Sequence, residues 1–367
     1  MPSVLEPAVL CGLPLRNRFV RSATWDALAD AEGAVTDSSA KLYDDLAAGG
    51  VGLIVTGYAF VSAHGQAAVN QYGIHRDDLI PGLRRLVEAA HRHGAKIAVQ
   101  IVHAGRGSAF LARQGQVLLA PSQIGENPPH RAMTDEEIES IIDDFAAAAR
   151  RAKEAGFDAV QLHGAHGYLM SQFLSPLTNQ RQDRWGGSPE NRCRFHVETV
   201  RRVKAALGPE VPLLIKFGIA DDAEGGASLE EGLAALSAMV EAGLDGVEIS
   251  GGIARGQRSA SRVSEGTSEE PYYADRAAAA KKAVNIPVIL VGGIRTLDTA
   301  ERLVSSGNAD FISLSRPLIR EPGLINRWSS GSQEAAKCIS CNKCLGIVGR
   351  GEPLECGQER AIREGRL

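Results

Sequence analysis

Thr134 is followed by DEEIESIIDDFAAAARRAKEAGFDAVQLHGA (135–165), which holds one complete helix-to-strand unit. Thr134 with Glu137 three residues on forms a capping box and starts the helix. Gly156 offers the usual C-cap chemistry at its end. AVQLHGA (159–165) is then a short, largely apolar run that predicts a strand. Similar runs recur along the chain: FVRSA (19–23), GLIVTGY (52–58), KIAVQIVH (96–103), LLIKFG (213–218), GVEISGG (246–252), VILVGGI (288–294) and FISLSR (311–316). Amphipathic stretches such as LIPGLRRLVEAAHRHG and NRCRFHVETVRRVKAALG lie between them. Near-continuous apolar strands, each followed by a helix, indicate a parallel sheet covered on both faces. Eight such units over about 300 residues fit an α/β fold of the (β/α)8 TIM barrel type. An open doubly wound sheet would require a Gly-rich phosphate loop after its first strand, but SATWDAL stands there. The barrel is assigned to residues 1–330 and a short cysteine-rich C-terminal extension to 331–367. The long loop regions 104–133 and 253–272 are expected to shape or cover the active site.

Composition narrows the function classes. Hydrophobic residues make up 44% of the 367 residues and charged residues 23%, enough for a large core. Forty Lys and Arg against 44 Asp and Glu leave a net charge of −4, no footprint for nucleic acid or an anionic membrane. MPSVLEPAVLCGLPLRNR lacks the basic and apolar regions of a signal peptide, and no apolar stretch is long enough to span a bilayer. A soluble, cytoplasmic protein acting on a small molecule is expected.

A barrel places its reactive groups where strands end. Here those ends are polar: Ser22, Ala23, Thr24 and Trp25; Thr56, Gly57 and Tyr58; Gln100 and His103; His163, His166 and Tyr168; Lys216; Gly292 and Gly293; Ser315 and Arg316. The glycine pair alone reads equally as a turn or as a phosphate contact. With Arg316 and the positive end of a short helix after SRP, it reads as the phosphate site that barrels build after strands seven and eight. In HGAHGYL (163–169), His163 and His166 could converge on one oxygen, and Tyr168 carries a phenol that can donate a proton. The competing reading is two histidines capping a loop. A zinc site would need further ligands, and no nearby acid has metalloprotease spacing.

HGAHGYLMSQFLSPLTNQRQDRWGGSPENRCRF (163–195) resembles the signature block of the old yellow enzyme family, the FMN-dependent NADH:flavin oxidoreductases. LPLRNRFVRSAT, GGVGLIVTG, VQIVHAGR, VGGI and SLSRPLIREP resemble the family's other blocks, in order. The resemblance implies FMN at the barrel mouth, its phosphate held by Gly292, Gly293, Ser315 and Arg316. It places Ser22, Ala23 and Thr24 at the flavin edge, with Gly57 and Gln100 as further ring contacts. His163 and His166 match the pair that binds the carbonyl oxygen of an activated alkene, and Tyr168 the proton donor to its α-carbon. NAD(P)H is then a transient reductant, and homo-oligomers are implied. Two positions depart from the pattern. Lys216 stands where many members carry the Arg that neutralises the reduced flavin, and a lysine acts there only as a point charge. Trp25 stands where several carry a cysteine, and it either walls the substrate cavity beside Tyr58 or packs in the core.

Cys338, Cys341, Cys344 and Cys356 follow the pattern Cys-x2-Cys-x2-Cys-x11-Cys. Four thiolates so spaced can hold a 4Fe–4S cluster or tetrahedral zinc, or remain free thiols. The tail resembles that of the 2,4-dienoyl-CoA reductase and trimethylamine dehydrogenase branch, which implies a cluster whose electrons could pass to a separate electron-transfer protein. The leading function is an NAD(P)H-driven ene-reductase of α,β-unsaturated carbonyl compounds. The alternative on the same scaffold is an FMN-dependent amine demethylase or dehydrogenase taking an N-methylated substrate, with Trp25, Tyr58 and Tyr168 as part of an aromatic wall. A flavin-free phosphosugar isomerase or aldolase, with Lys216 as Schiff-base lysine, is a third.

Overall fold

The structure, a computed structural model, describes residues 3–253 and 271–366. Strands β1 (Phe19–Arg21), β2 (Leu53–Val55), β3 (Lys96–Val102), β4 (Ala159–Gly164), β5 (Leu213–Gly218), β6 (Gly246–Ser250), β7 (Val288–Val291) and β8 (Phe311–Leu314) pair in parallel in chain order. Ile312 opposite Phe19 closes the ring. The strands end two or three residues earlier than several of the apolar runs suggest, because the polar residues after them turn into the mouth of the barrel.

Helices α1 (Asp37–Ala48), α2 (Ile80–His91), α3 (Asp135–Ala155), α4 (Pro189–Leu207), α5 (Leu229–Glu241), α6 (Ala274–Ala283), α7 (Leu297–Ser305) and α8 (Leu324–Ser329) form the outer layer. The capping box at Thr134 and Glu137 is present, and Gly156 takes φ +94° at the end of α3. Further boxes start α1 at Thr36 and α5 at Ser228. Between strands and helices lies a continuous apolar layer in which Phe173 stacks on Phe195 at 4.2 Å. A smaller cluster fills the lower barrel: Val20, Leu53, Ala98, Ala159, Leu214, Ile289 and Phe311 meet Leu10 and Leu15 of an N-terminal hairpin (Ala8–Leu10 and Leu13–Leu15). The hairpin packs across the bottom of the barrel. No helix among the described residues is long and apolar enough to cross a membrane.

The segment 104–133 carries a short helix, Ala109–Arg113, and a parallel strand pair, Leu118–Ala120 with His130–Ala132. Of the second long region, 253–272, residues 254–270 lie outside the described residues. The tail lies on the barrel: Ala336 N–H donates to Arg295 O, Leu354 N–H to Asp26 O, and Arg320 pairs with Glu359.

His196 on α4 is fully buried against Phe195 and Phe217, with no hydrogen-bond partner for either ring nitrogen among the described residues. Burial lowers its pKa to about 3, against 6.5 when exposed. The unfolded chain therefore binds one more proton than the folded chain between those values, and stability falls as pH drops through that window. His196→Phe should flatten that slope by about 1.4 kcal/mol per pH unit. Urea unfolding at a series of pH values checks this, and an unchanged slope would contradict it.

Candidate active site

The upper barrel is filled by hydrogen-bonded polar side chains. Parallel register sets Gln100 opposite Gln161, and sets Lys216 opposite both His163 and Glu248. Odd-numbered strands or their extensions supply Ser22, Gln100 and Lys216, and even-numbered strands supply Gln161, Glu248 and Ser313, the alternation expected of barrel layers. Gln100 Nε2 donates to Gln161 Oε1 (2.7 Å), and Gln161 Nε2 donates to Glu248 Oε2 (2.9 Å). Glu248 Oε1 accepts from Lys216 Nζ, Ser22 Oγ and Ser313 Oγ, each at 2.8 Å. Lys216 is 3% exposed and Glu248 0%, so this is a buried ion pair rather than a lysine reaching out at a rim. Burial works to raise the Glu248 carboxyl, but Lys216 and the two hydroxyls outweigh it and hold its pKa below the usual range.

Above this layer opens a cavity of about 750 Å3, within the range of cofactor sites. Ser22, Ala23, Thr24, Trp25, Tyr58, Gln100, His163, His166, Tyr168, Lys216, Gly292, Gly293, Ser315 and Arg316 all line it. Gly57 is not among the lining residues. Its N–H donates to Tyr43 Oη (2.8 Å), and a Cβ there would meet Thr24 O at 3.0 Å, so it supports the Thr24 loop from behind. Asp26, fully buried, accepts from Tyr43 and Tyr72 on that side, and burial raises its pKa to about 6.

His163, His166, Tyr168 and Tyr58 make one wall. Ring centroids lie 5.1 Å apart for His163 and His166, 4.8 Å for His163 and Tyr168, and 5.6 Å for Tyr58 and Tyr168. His166 holds φ +63°, a left-handed backbone that is uncommon outside glycine, and its Nε2 lies 2.8 Å from Ser250 Oγ. That contact occupies one nitrogen and leaves Nδ1. His163 Nδ1 accepts a long bond from Ala165 N–H (3.4 Å), which leaves Nε2 as the N–H donor. Burial, then His166 and Lys216, pushes the His163 pKa well below its ordinary value; burial and Lys216 push His166 to about 3. Both rings are therefore neutral donors near pH 7. His103 lies buried outside the cavity, its Nδ1 accepting from Gly105 N–H.

The opposite end of the strand order supplies an anion cradle. Gly292 and Gly293 take φ +108° and +76°, and a Cβ on Gly292 would meet Tyr272 at 2.9 Å. Arg316 donates to Asn342 Oδ1 (2.7 Å), and Thr24 Oγ1 meets Ser315 Oγ at 2.8 Å. Trp25 walls the cavity, and its buried indole N–H has no partner among the described residues. Two left-handed glycines, an arginine, a buried lysine, a glutamine and an indole N–H with no partner among the described residues form a donor set that fits FMN.

Cys338, Cys341, Cys344 and Cys356 line a small separate cleft whose wall includes Arg316 and Ile319, residues that also line the large cavity. All four are unbridged, and burial raises the Cys338 and Cys344 thiols above their ordinary pKa. Among the described residues no group of three or more His, Cys, Asp or Glu is arranged to hold one metal ion. Leu345, Val348 and Gly349, just beyond Cys344, form part of the large cavity's wall.

The resemblance left out several residues that the structure brings to the site. Glu248, Gln161 and Ser313 sit in strands buried on both faces, where a polar side chain is itself the signal. Phe110, Arg113, Tyr272 and the tail residues reach the cavity through tertiary packing that carries no local sequence mark.

The family model described as NADH:flavin oxidoreductase / NADH oxidase matches residues 3–334. The NADH oxidase of Thermoanaerobacter brockii is 39% identical over 95% of this chain and 54% of its own length. The NADPH dehydrogenase of Geobacillus sp. (strain WCH70) is 36% identical over 87% of this chain and 91% of its own. A solved 2-naphthoyl-CoA reductase in complex with 2-naphthoyl-CoA superposes with a TM-score of 0.88 at 28% identity, covering 96% of this chain and 56% of that one. The chain thus spans about half the length of some curated relatives that it matches. With the closed barrel and the cavity at its mouth, these matches show that the chain belongs to the NADH:flavin oxidoreductase / NADH oxidase family, the FMN-dependent oxidoreductases of the old yellow enzyme type.

Proposed function

We propose that this chain is an NAD(P)H-driven ene-reductase of α,β-unsaturated carbonyl compounds. The observation that carries the reading is the gathering of His163, His166 and Tyr168 on one wall of the cavity. Ser22, Ala23, Thr24, Gln100 and Lys216 would hold the FMN ring, and Gly292, Gly293, Ser315 and Arg316 its phosphate. Bound FMN supplies hydride transfer between NAD(P)H and the alkene. His163 Nε2–H and His166 Nδ1–H bind the carbonyl oxygen and stabilise the charge that grows on it, as fixed donors on one wall of the cavity. Tyr168 Oη, 3.4 Å from Tyr58 Oη, gives its proton to the α-carbon. A phenol needs only reach for this, not a lowered pKa. Lys216 presents a point charge already balanced by Glu248.

The amine reading is less well supported. Among the described residues lining the cavity there is no Asp or Glu to face a cationic amine. Turnover of enones against N-methylated amines separates the two. The four thiols share one cleft but show no metal-binding geometry among the described residues, so no step is assigned to a metal there; an anaerobic spectrum of the isolated protein reports the flavin and any iron–sulfur cluster together.

Tyr168→Phe should slow alkene reduction by about a hundredfold or more while NAD(P)H still bleaches the flavin. Stopped-flow measurement of the two half-reactions checks this. Equal alkene reduction by the variant would remove Tyr168 from the proton-donor role.

A further inference from the structure

Arg113 closes the short helix Ala109–Arg113 that follows β3. Ala109, Phe110 and Arg113 all line the cavity, so one face of this helix forms part of the mouth. Among the described residues, two other cations line the cavity. Lys216 is neutralised by Glu248, and Arg316 is engaged by Asn342 at the anion cradle. Arg113 is exposed and its side chain makes no hydrogen bond or ion pair among the described residues, whereas the arginines at positions 131, 150, 151, 181, 184 and 192 each hold a carboxylate. No described Asp or Glu lines the cavity to answer it. An unanswered charge over low-dielectric walls raises the local concentration of anions.

We propose that Arg113 receives a carboxylate of the substrate, so that the preferred substrates are α,β-unsaturated carbonyl compounds bearing a second, anionic group. This deepens the ene-reductase reading and rests on it. A guanidinium fork matches a planar carboxylate with two parallel hydrogen bonds. The carbonyl oxygen then lies on the His163–His166 wall and the carboxylate at the rim, with Phe110 and Trp25 contributing apolar surface to the same cavity. The overall reaction balances as alkene plus NAD(P)H plus one proton giving the saturated carbonyl compound plus NAD(P)+. The carboxylate is unchanged.

The test compares 4-carboxycinnamaldehyde with its methyl ester on the flavin-loaded enzyme. The acid should be favoured about tenfold in kcat/KM, chiefly through KM, and the preference should shrink as KCl is raised. Arg113→Gln should bring the acid-to-ester ratio near one, and Arg113→Lys should restore part of it. A ratio at or below one in the unaltered enzyme, or an unchanged ratio in Arg113→Gln, would overturn the proposal. If neither aldehyde is reduced although NAD(P)H still bleaches the flavin, the ene-reductase reading fails instead. Binding then decides the Arg113 assignment: calorimetry with 4-acetylbenzoate against methyl 4-acetylbenzoate should show the acid preference in the unaltered protein and lose it in Arg113→Gln. Equal affinities in the unaltered protein would again overturn it.

Discussion

Glu248→Leu should destabilise the protein by about 3–5 kcal/mol, the usual loss when one partner of a buried ion pair is removed. The carboxylate gathers Lys216, Ser22, Ser313 and Gln161, and the leucine would leave an ammonium at 3% exposure facing a lone hydroxyl. The loss should appear as lower midpoints in both urea and thermal unfolding. The double variant Glu248→Leu/Lys216→Met should recover most of it, since an apolar pair of similar volume avoids the stranded charge. A single variant within 1 kcal/mol of the parent would mean that the two groups are not charged and paired as described.

His163→Ala should lower kcat for alkene reduction by a factor of about 100–1000, the measured worth of one oxyanion donor in a preorganised site. The same variant should keep flavin reduction by NAD(P)H within a few fold. His166→Ala should behave similarly, and the double variant should fall short of the product of the two losses, because both rings serve one oxygen. Equal losses in both half-reactions would point to a displaced flavin rather than to a missing donor. Because both imidazoles are held neutral, the donor role should show no loss between pH 8 and pH 5, where an ordinary histidine would titrate.

Much of this is legible in the sequence. Strands buried on both faces must be nearly continuous in apolar residues, so the β/α alternation is plain in the sequence, and polar residues clustered after each strand stand out against it. The capping box at Thr134 is a local signal and holds in the structure. Glu248 carries no mark of its pairing in the sequence because its meaning depends on register: only when β5 and β6 pair does Lys216 fall opposite it. Gly57 shows the converse. The resemblance assigned it a ring contact, whereas in the structure its N–H is taken by Tyr43, thirteen residues or more from any strand-end motif that would announce it. Arg113 sits in a loop helix whose orientation depends on packing, and one arginine among many carries no mark of its own. The cysteine spacing announced a common seat, and the four thiols do share one cleft, yet no metal geometry appears among them.

Leu345, Val348 and Gly349 bring the cysteine-bearing tail into the wall of the cavity. A protein cut back to the bare barrel would lose that part of the cavity's wall. Any event that reshapes the loop around Cys344 would therefore reach the reactants as a moved wall, without a long relay through the barrel.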